Sequence, residues 1–194
     1  MLSVNELYPI FLKTEQLQFL IVGGGNVALE KLEFLLKSSP NAQITMVAPF
    51  YRDITLNFVA NKPNIHLIHR KFSYFFLKDK HIVIATTDNP KVNKKIHYFC
   101  KKKRILVNVA DTPELCDFYM GGIVTKGNLK IGISTNGKSP TLAKRIRQFL
   151  EELLPEEIND LLDTLQNYRK TLNGDFEFKV REMNKMTKSI LEKK

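Results

Sequence analysis

The sequence predicts an α/β fold with a parallel sheet, followed by a small β-hairpin region and a helical tail, and three observations carry that expectation. Five short runs rich in β-branched residues, at 17–22, 44–48, 65–68, 81–85 and 105–109, read as strands covered on both faces. The intervals between runs suit crossover connections, and two of them carry helical spacing, the pattern of βαβ units. After residue 111 the pattern changes to two strand-like runs and then to amphipathic stretches.

Taken in order, the first run ends in three glycines and opens a helix over 26–37, where Val27, Leu32, Leu35 and Leu36 share a face. The second and third strands follow at 44–48 and 65–68. After the fourth, at 81–85, Asp88-Asn89-Pro90 precedes a helix over 91–102 with Val92, Ile96 and Phe99 on one face. The fifth strand ends at Val109. Runs at 121–125 and 129–134 flank Lys126-Gly127-Asn128, a hairpin turn. Ser139 then suits an N-cap and Pro140 the first helical position, and Leu142, Ile146, Phe149, Leu150 and Leu153 form one stripe. Pro155 opens another helix, Asn173-Gly174 ends it, and a last helix of mixed charge runs towards Lys194. Three regions are therefore expected: 1–112, 113–152 and 153–194, with the second placed to pack against a partner chain.

Composition narrows the function classes. With 194 residues, 43% of them hydrophobic, the chain can bury a core without disulfides or metals and is too apolar for a disordered polymer. Its apolar runs are far shorter than the ~20 residues needed to cross a bilayer. Cys100 and Cys116 form no CxxC pair, and no metal-type spacing links them to His66, His69, His81 or His97, so no metal site is expected. The first residues lack a secretory signal, and a cytoplasmic location is expected. Thirty basic against twenty acidic residues give a formal charge of +10, which attracts nucleic acid, anionic lipid and polyanionic small molecules alike.

The sharpest local motif is Gly23-Gly24-Gly25-Asn26-Val27-Ala28, a G-x-G-x-x-A pattern between strand and helix. Gly23 permits the tight turn, Gly25 lets the backbone approach a pyrophosphate, and Ala28 allows close helix–strand packing, with the helix N-terminus facing the phosphates. This marks the sheet as Rossmann-like; the alternative is a structural turn. The acid that commonly binds the ribose is missing where the second strand ends, at Ala48-Pro49-Phe50. Arg52 lies close enough for a 2′-phosphate, so local chemistry leaves NAD and NADP both open. Thr86 and Thr87 leave the fourth strand on the ligand edge of such a sheet, where cofactor contact and helix capping are compatible roles.

Asp111 emerges past the fifth strand on that same edge. A carboxylate there would take the proton when hydride leaves a substrate; the other reading is a turn-forming Asp before Thr112-Pro113. Ser134, Thr135, Asn136, Gly137, Lys138 and Ser139 form a hydroxyl-rich entry to a helix, a second anion site. Lys144, Arg145 and Arg147 downstream add charge or simply face solvent. The run Lys101-Lys102-Lys103-Arg104 reads as a solvated helix end without interleaved aromatics, which makes nucleic acid a minor reading.

Together GGGNVA, ATTDNPKVN, VNVADTPELCDF and ISTNGKSPTLAKRIR, in this order, resemble the precorrin-2 dehydrogenase family of sirohaem synthesis from about Leu7 to about Leu154. The resemblance implies NAD-dependent oxidation of precorrin-2 to sirohydrochlorin and, in some members, insertion of Fe²⁺ as a substrate. It places the family's essential aspartate on Asp111, nucleotide contacts on Asn26-Val27 and a further contact on Pro49-Phe50, and it implies a homodimer joined through the hairpin region. Thr135 stands where some relatives have serine, and Gly121-Gly122 where the family commonly has proline. The chain is expected to be the form without a fused methyltransferase. Neither nucleic acid nor a membrane is expected as a partner, since a polycarboxylate tetrapyrrole gives the +10 charge a use. A non-catalytic NAD-sensing module is the alternative; it would bind NAD without oxidising precorrin-2.

Overall fold

Continuous apolar strands demand cover on both faces, and a five-stranded parallel sheet in the order β3-β2-β1-β4-β5 receives it. The strands are β1 (Gln18–Val22), β2 (Gln43–Ala48), β3 (Ile65–His69), β4 (Ile82–Ala85) and β5 (Leu106–Val109). Connecting helices are α1 (Asn26–Ser38), α2 (Asp53–Val59) and α3 (Pro90–Lys103). The α/β class and the five expected strands are present in this computed structural model, which describes residues 4–191. Alternate residues of β1 divide between two cores. Phe19 and Ile21 pack with Ala28, Leu32 and Leu35 of α1 and Val59 of α2, whereas Leu20 and Val22 pack with Ile96 and Cys100 of α3.

Strand order reverses between β1 and β4, where Val22 is in register with Ala85, so the crevice beyond these ends is the topological switch point at which open α/β sheets hold ligands. The helix α2 has no counterpart among the expected elements. It has seven residues and buries Thr55 and Val59, too short for a helical period to emerge.

The chain divides into two compact units, one ending at Met120 and the other starting at Gly121. The first extends past the change of pattern at residue 112 because residues 116–118 are bonded to β5. In the second unit β6 (Gly122–Lys126) and β7 (Leu129–Ile133) pair antiparallel around Gly127-Asn128. Gly127 has φ +53, and a Cβ there would lie 2.5 Å from Asn159 Oδ1, so glycine is required. Three helices follow: α4 (Pro140–Leu153), α5 (Ile158–Thr171) and α6 (Phe176–Leu191). As expected, Ser139 caps α4, its Oγ accepting the Leu142 N–H at 3.2 Å. Among the described residues of this unit only Val124 and Ala143 are buried hydrophobics; Leu142, Phe149, Leu153 and Phe176 are exposed. The expected end of the last helix at residues 192–194 lies outside the described residues.

Candidate active site

The three consecutive glycines have three different tasks. Gly23 sits at φ +139, donates its N–H to Val47 O at 3.0 Å, and would place a Cβ 2.3 Å from Thr86 Oγ1. Gly24 would place one 2.1 Å from the Phe50 carbonyl, while its own carbonyl accepts the Arg52 N–H at 3.3 Å. These two let the loops after β4 and β2 close on the loop after β1. Gly25 has nothing within 4 Å of its Cβ position and stands at the N-cap of α1 without a side-chain cap. The leading N–H groups of α1, from Asn26 onward, have no intrahelical acceptor. Open space against uncapped helix donors fits a pyrophosphate.

Pro49 and Phe50 are exposed at the end of β2, with Phe50 70% exposed. Tyr51 beside them, which no motif singles out, is 1% exposed and donates its hydroxyl to Ile68 O at 3.1 Å. Burial pushes that hydroxyl up to about 12, against hydrogen bonds that oppose the shift. The anchored tyrosine fixes Phe50 at the rim, where an acid would otherwise meet a ribose.

Thr86 and Thr87 combine support with placement. Thr86 Oγ1 donates to Val22 O at 3.0 Å, joining β4 to β1 at the switch point. Thr87 Oγ1 donates to Asn93 Oδ1 at 2.6 Å, Asn93 Nδ2 donates to Thr87 O at 2.9 Å, and Asn89 Oδ1 caps α3 by accepting from Lys91 and Val92. The Thr86 hydroxyl proton is thus committed to the end of β1 and that of Thr87 to the start of α3.

Asp111 is displayed on a tight turn at the same edge. Ala110 N–H donates to Ala85 O at 2.9 Å, extending the pairing of β5 with β4 by one residue, and Thr112 N–H donates to Val109 O at 3.2 Å to close the turn. Asp111 is exposed and left-handed, φ +57. The order β1-β4-β5 places its strand two spacings, roughly 10 Å, from that of the glycine loop.

Residues 134–139 belong to the second unit and serve their own loop more than expected. Thr135 Oγ1 donates to Ser139 O at 3.1 Å and accepts the Ser139 N–H, and Asn136 N–H donates to Ser134 Oγ at 3.1 Å. Asn136 and Gly137 are both left-handed, at φ +53 and +74, in a turn closed by Lys138 N–H on Thr135 O. Pro140 has no N–H and that of Leu142 is taken by the cap, so this helix end offers fewer donors to an anion than an uncapped one.

The basic run carries no interleaved aromatics in its sequence, but two rings lie beside it in space. Lys102 lies 4.6 Å over the Tyr98 ring and Lys103 4.8 Å over Tyr74, a residue distant in sequence. These lysines end α3 at the edge of the sheet opposite the glycine loop. Among the described residues no three His, Cys, Asp or Glu side chains group as a metal requires, and no helix is long and apolar enough to cross a membrane.

Comparison with known proteins agrees with this geometry. An NAD(P)-binding family model matches residues 10–122, and that of the sirohaem biosynthesis protein central segment matches 126–153. The siroheme synthase of Pseudoalteromonas atlantica is 36% identical over 88% of this chain and 36% of its own length. That of Psychrobacter cryohalolentis is 37% identical over 89% of the chain and 32% of its own length. The chain thus spans about a third of these curated relatives. The solved structure of SirC, a precorrin-2 dehydrogenase, superposes with a TM-score of 0.71 at 26% identity, covering 96% of this chain and 90% of SirC. The chain belongs to the family of NAD(P)-binding proteins that includes SirC and the corresponding third of siroheme synthase.

Proposed function

We propose that this chain oxidises precorrin-2 to sirohydrochlorin with NAD as acceptor. The observation that carries the reading is the single edge shared by an uncapped, open glycine loop and an exposed carboxylate two strands away. Gly25, Asn26 and Val27 hold the pyrophosphate, and Pro49-Phe50 offers an apolar rim to the adenosine half; the family resemblance supports NAD over NADP. The bound nicotinamide supplies a hydride acceptor. Asp111 takes the proton released with the hydride, so that a hydride and a proton, together two electrons and two protons, leave the substrate and the new double bond forms in the tetrapyrrole.

The protein works as a homodimer in this reading. A second unit with only Val124 and Ala143 as buried hydrophobics among its described residues leaves Leu142, Phe149 and Leu153 for a second copy to cover. A monomeric mass in solution would overturn that part. The activity is tested by anaerobic incubation with precorrin-2 and either NAD⁺ or NADP⁺, following sirohydrochlorin absorbance and then adding Fe²⁺ as substrate. Sirohydrochlorin formed with NAD⁺ is the expected result. Nucleotide binding without turnover would replace the enzyme with a sensing module.

A further inference from the structure

We propose that Cys116 is a positioning residue for the proton acceptor: its thiol staples the turn that displays Asp111. The inference rests on Asp111 having that role. It begins with β5, the edge strand of the sheet, whose outward backbone groups have no neighbouring strand. Two consecutive residues of the returning chain satisfy them. Asp117 serves Val107, accepting its N–H on Oδ2 at 3.1 Å and donating its own N–H to Val107 O at 2.7 Å, while Lys101 holds the carboxylate at 2.5 Å.

Cys116 serves Val109 with its side chain. Its Sγ accepts the Val109 N–H at 3.3 Å and the Asn108 Nδ2 at 3.5 Å, and its S–H faces Val109 O at 3.3 Å and Thr112 O at 3.4 Å. Val109 and Thr112 are the first and last residues of the Asp111 turn. One sulfur therefore grips both ends of a turn whose third residue, Asp111, is left-handed, an uncommon conformation that aspartate enters more readily than most residues.

The choice of sulfur has a geometric reason. Hydroxyl bonds are best at roughly 2.7–3.0 Å, so a serine Oγ at this position would fall short of partners spaced for sulfur. The thiol must also keep its proton to donate. Burial, reinforced by the nearby Asp117 and Glu114 carboxylates, raises its pKa despite the opposing Val109 hydrogen bond, and the group stays S–H.

The test compares Cys116→Ala and Cys116→Ser with the wild type and with Asp111→Ala in steady-state oxidation of precorrin-2. Cys116→Ala is expected to lose roughly 10- to 100-fold in kcat, the scale of a misplaced catalytic group, with KM for NAD changed less than about twofold. Cys116→Ser is expected to recover part of that loss, remaining about 3- to 10-fold below wild type. Full kcat in Cys116→Ala overturns the proposal, as does a KM for NAD that rises in step with the fall in kcat. If the alanine variant does not fold, Cys116→Ser decides: wild-type kcat there overturns it. An active Asp111→Ala would sink the reading of Asp111 instead, whereas an inactive Asp111→Ala beside a fully active Cys116→Ala sinks the staple alone.

Discussion

Gly24→Ala and Gly25→Ala change neighbouring residues and are expected to fail in opposite ways. At Gly24 a methyl carbon would stand 2.1 Å from the Phe50 carbonyl, where ordinary contact begins at 3.4 Å, so the β2–α2 loop must retreat by more than an ångström. Overpacking of this kind costs about 1–3 kcal/mol, and the midpoint of unfolding falls about 2–4 °C for each of them in a chain this long. At Gly25 the methyl meets open space on a backbone at φ −89, which any residue adopts, and stability should stay within about 0.5 kcal/mol of wild type. That open space is where the pyrophosphate belongs, so Gly25→Ala should weaken NADH binding by about tenfold or more, equivalent to about 1.4 kcal/mol. Thermal unfolding and titration of NADH fluorescence measure the two effects separately. Wild-type affinity in Gly25→Ala would refute the cradle, and an unchanged midpoint in Gly24→Ala would refute the close approach of the two loops.

Stability should also fall in alkali. Burial pushes Cys100 from 9.0 up to about 12 and Tyr51 from 10.0 up to about 12, so the unfolded chain loses these protons first; their contribution is complete below about pH 9 and declines above it. At pH 10 the fully buried Cys100 alone removes about 1.4 kcal/mol, while Lys80, held below its usual value by burial, acts in the opposite direction. Denaturation of wild type and Cys100→Ala between pH 8 and 10 checks this, and an equally steep decline in the variant would contradict it. Thr55 Oγ1 is buried without a hydrogen-bond partner among the described residues, so Thr55→Val should raise stability by about 1 kcal/mol in urea denaturation. A lower midpoint would mean that the hydroxyl has a partner.

Much of this was legible in the chain because the signals are periodic or local. The alternation of β1 between two cores follows from an apolar run with no polar face, and the Ser139-Pro140 cap lies within a few adjacent residues. A backbone requirement was legible where one residue type meets it, as at Gly23 with φ +139. The role of Gly24 was hidden because it depends on the Phe50 carbonyl, and Tyr51 because its partner is a backbone oxygen on the next strand. Residues 116–118 carry no strand pattern, since Cys116 completes the edge of β5 through its side chain. The hydroxyls of the 134–139 loop looked open to an anion because they bond main-chain groups close in sequence: Thr135 Oγ1 donates to Ser139 O, and the oxygens of Ser134, Thr135 and Ser139 accept backbone N–H groups.

The central claim is that Asp111 accepts the proton released as hydride departs, and one paired measurement on wild type and Asp111→Ala tests it. NADH affinity is titrated for both proteins, and sirohydrochlorin formation from precorrin-2 and NAD⁺ is then followed without oxygen. Equal affinities are expected, with product forming only in the wild type. An Asp111→Ala protein that turns over at the wild-type rate would contradict the account.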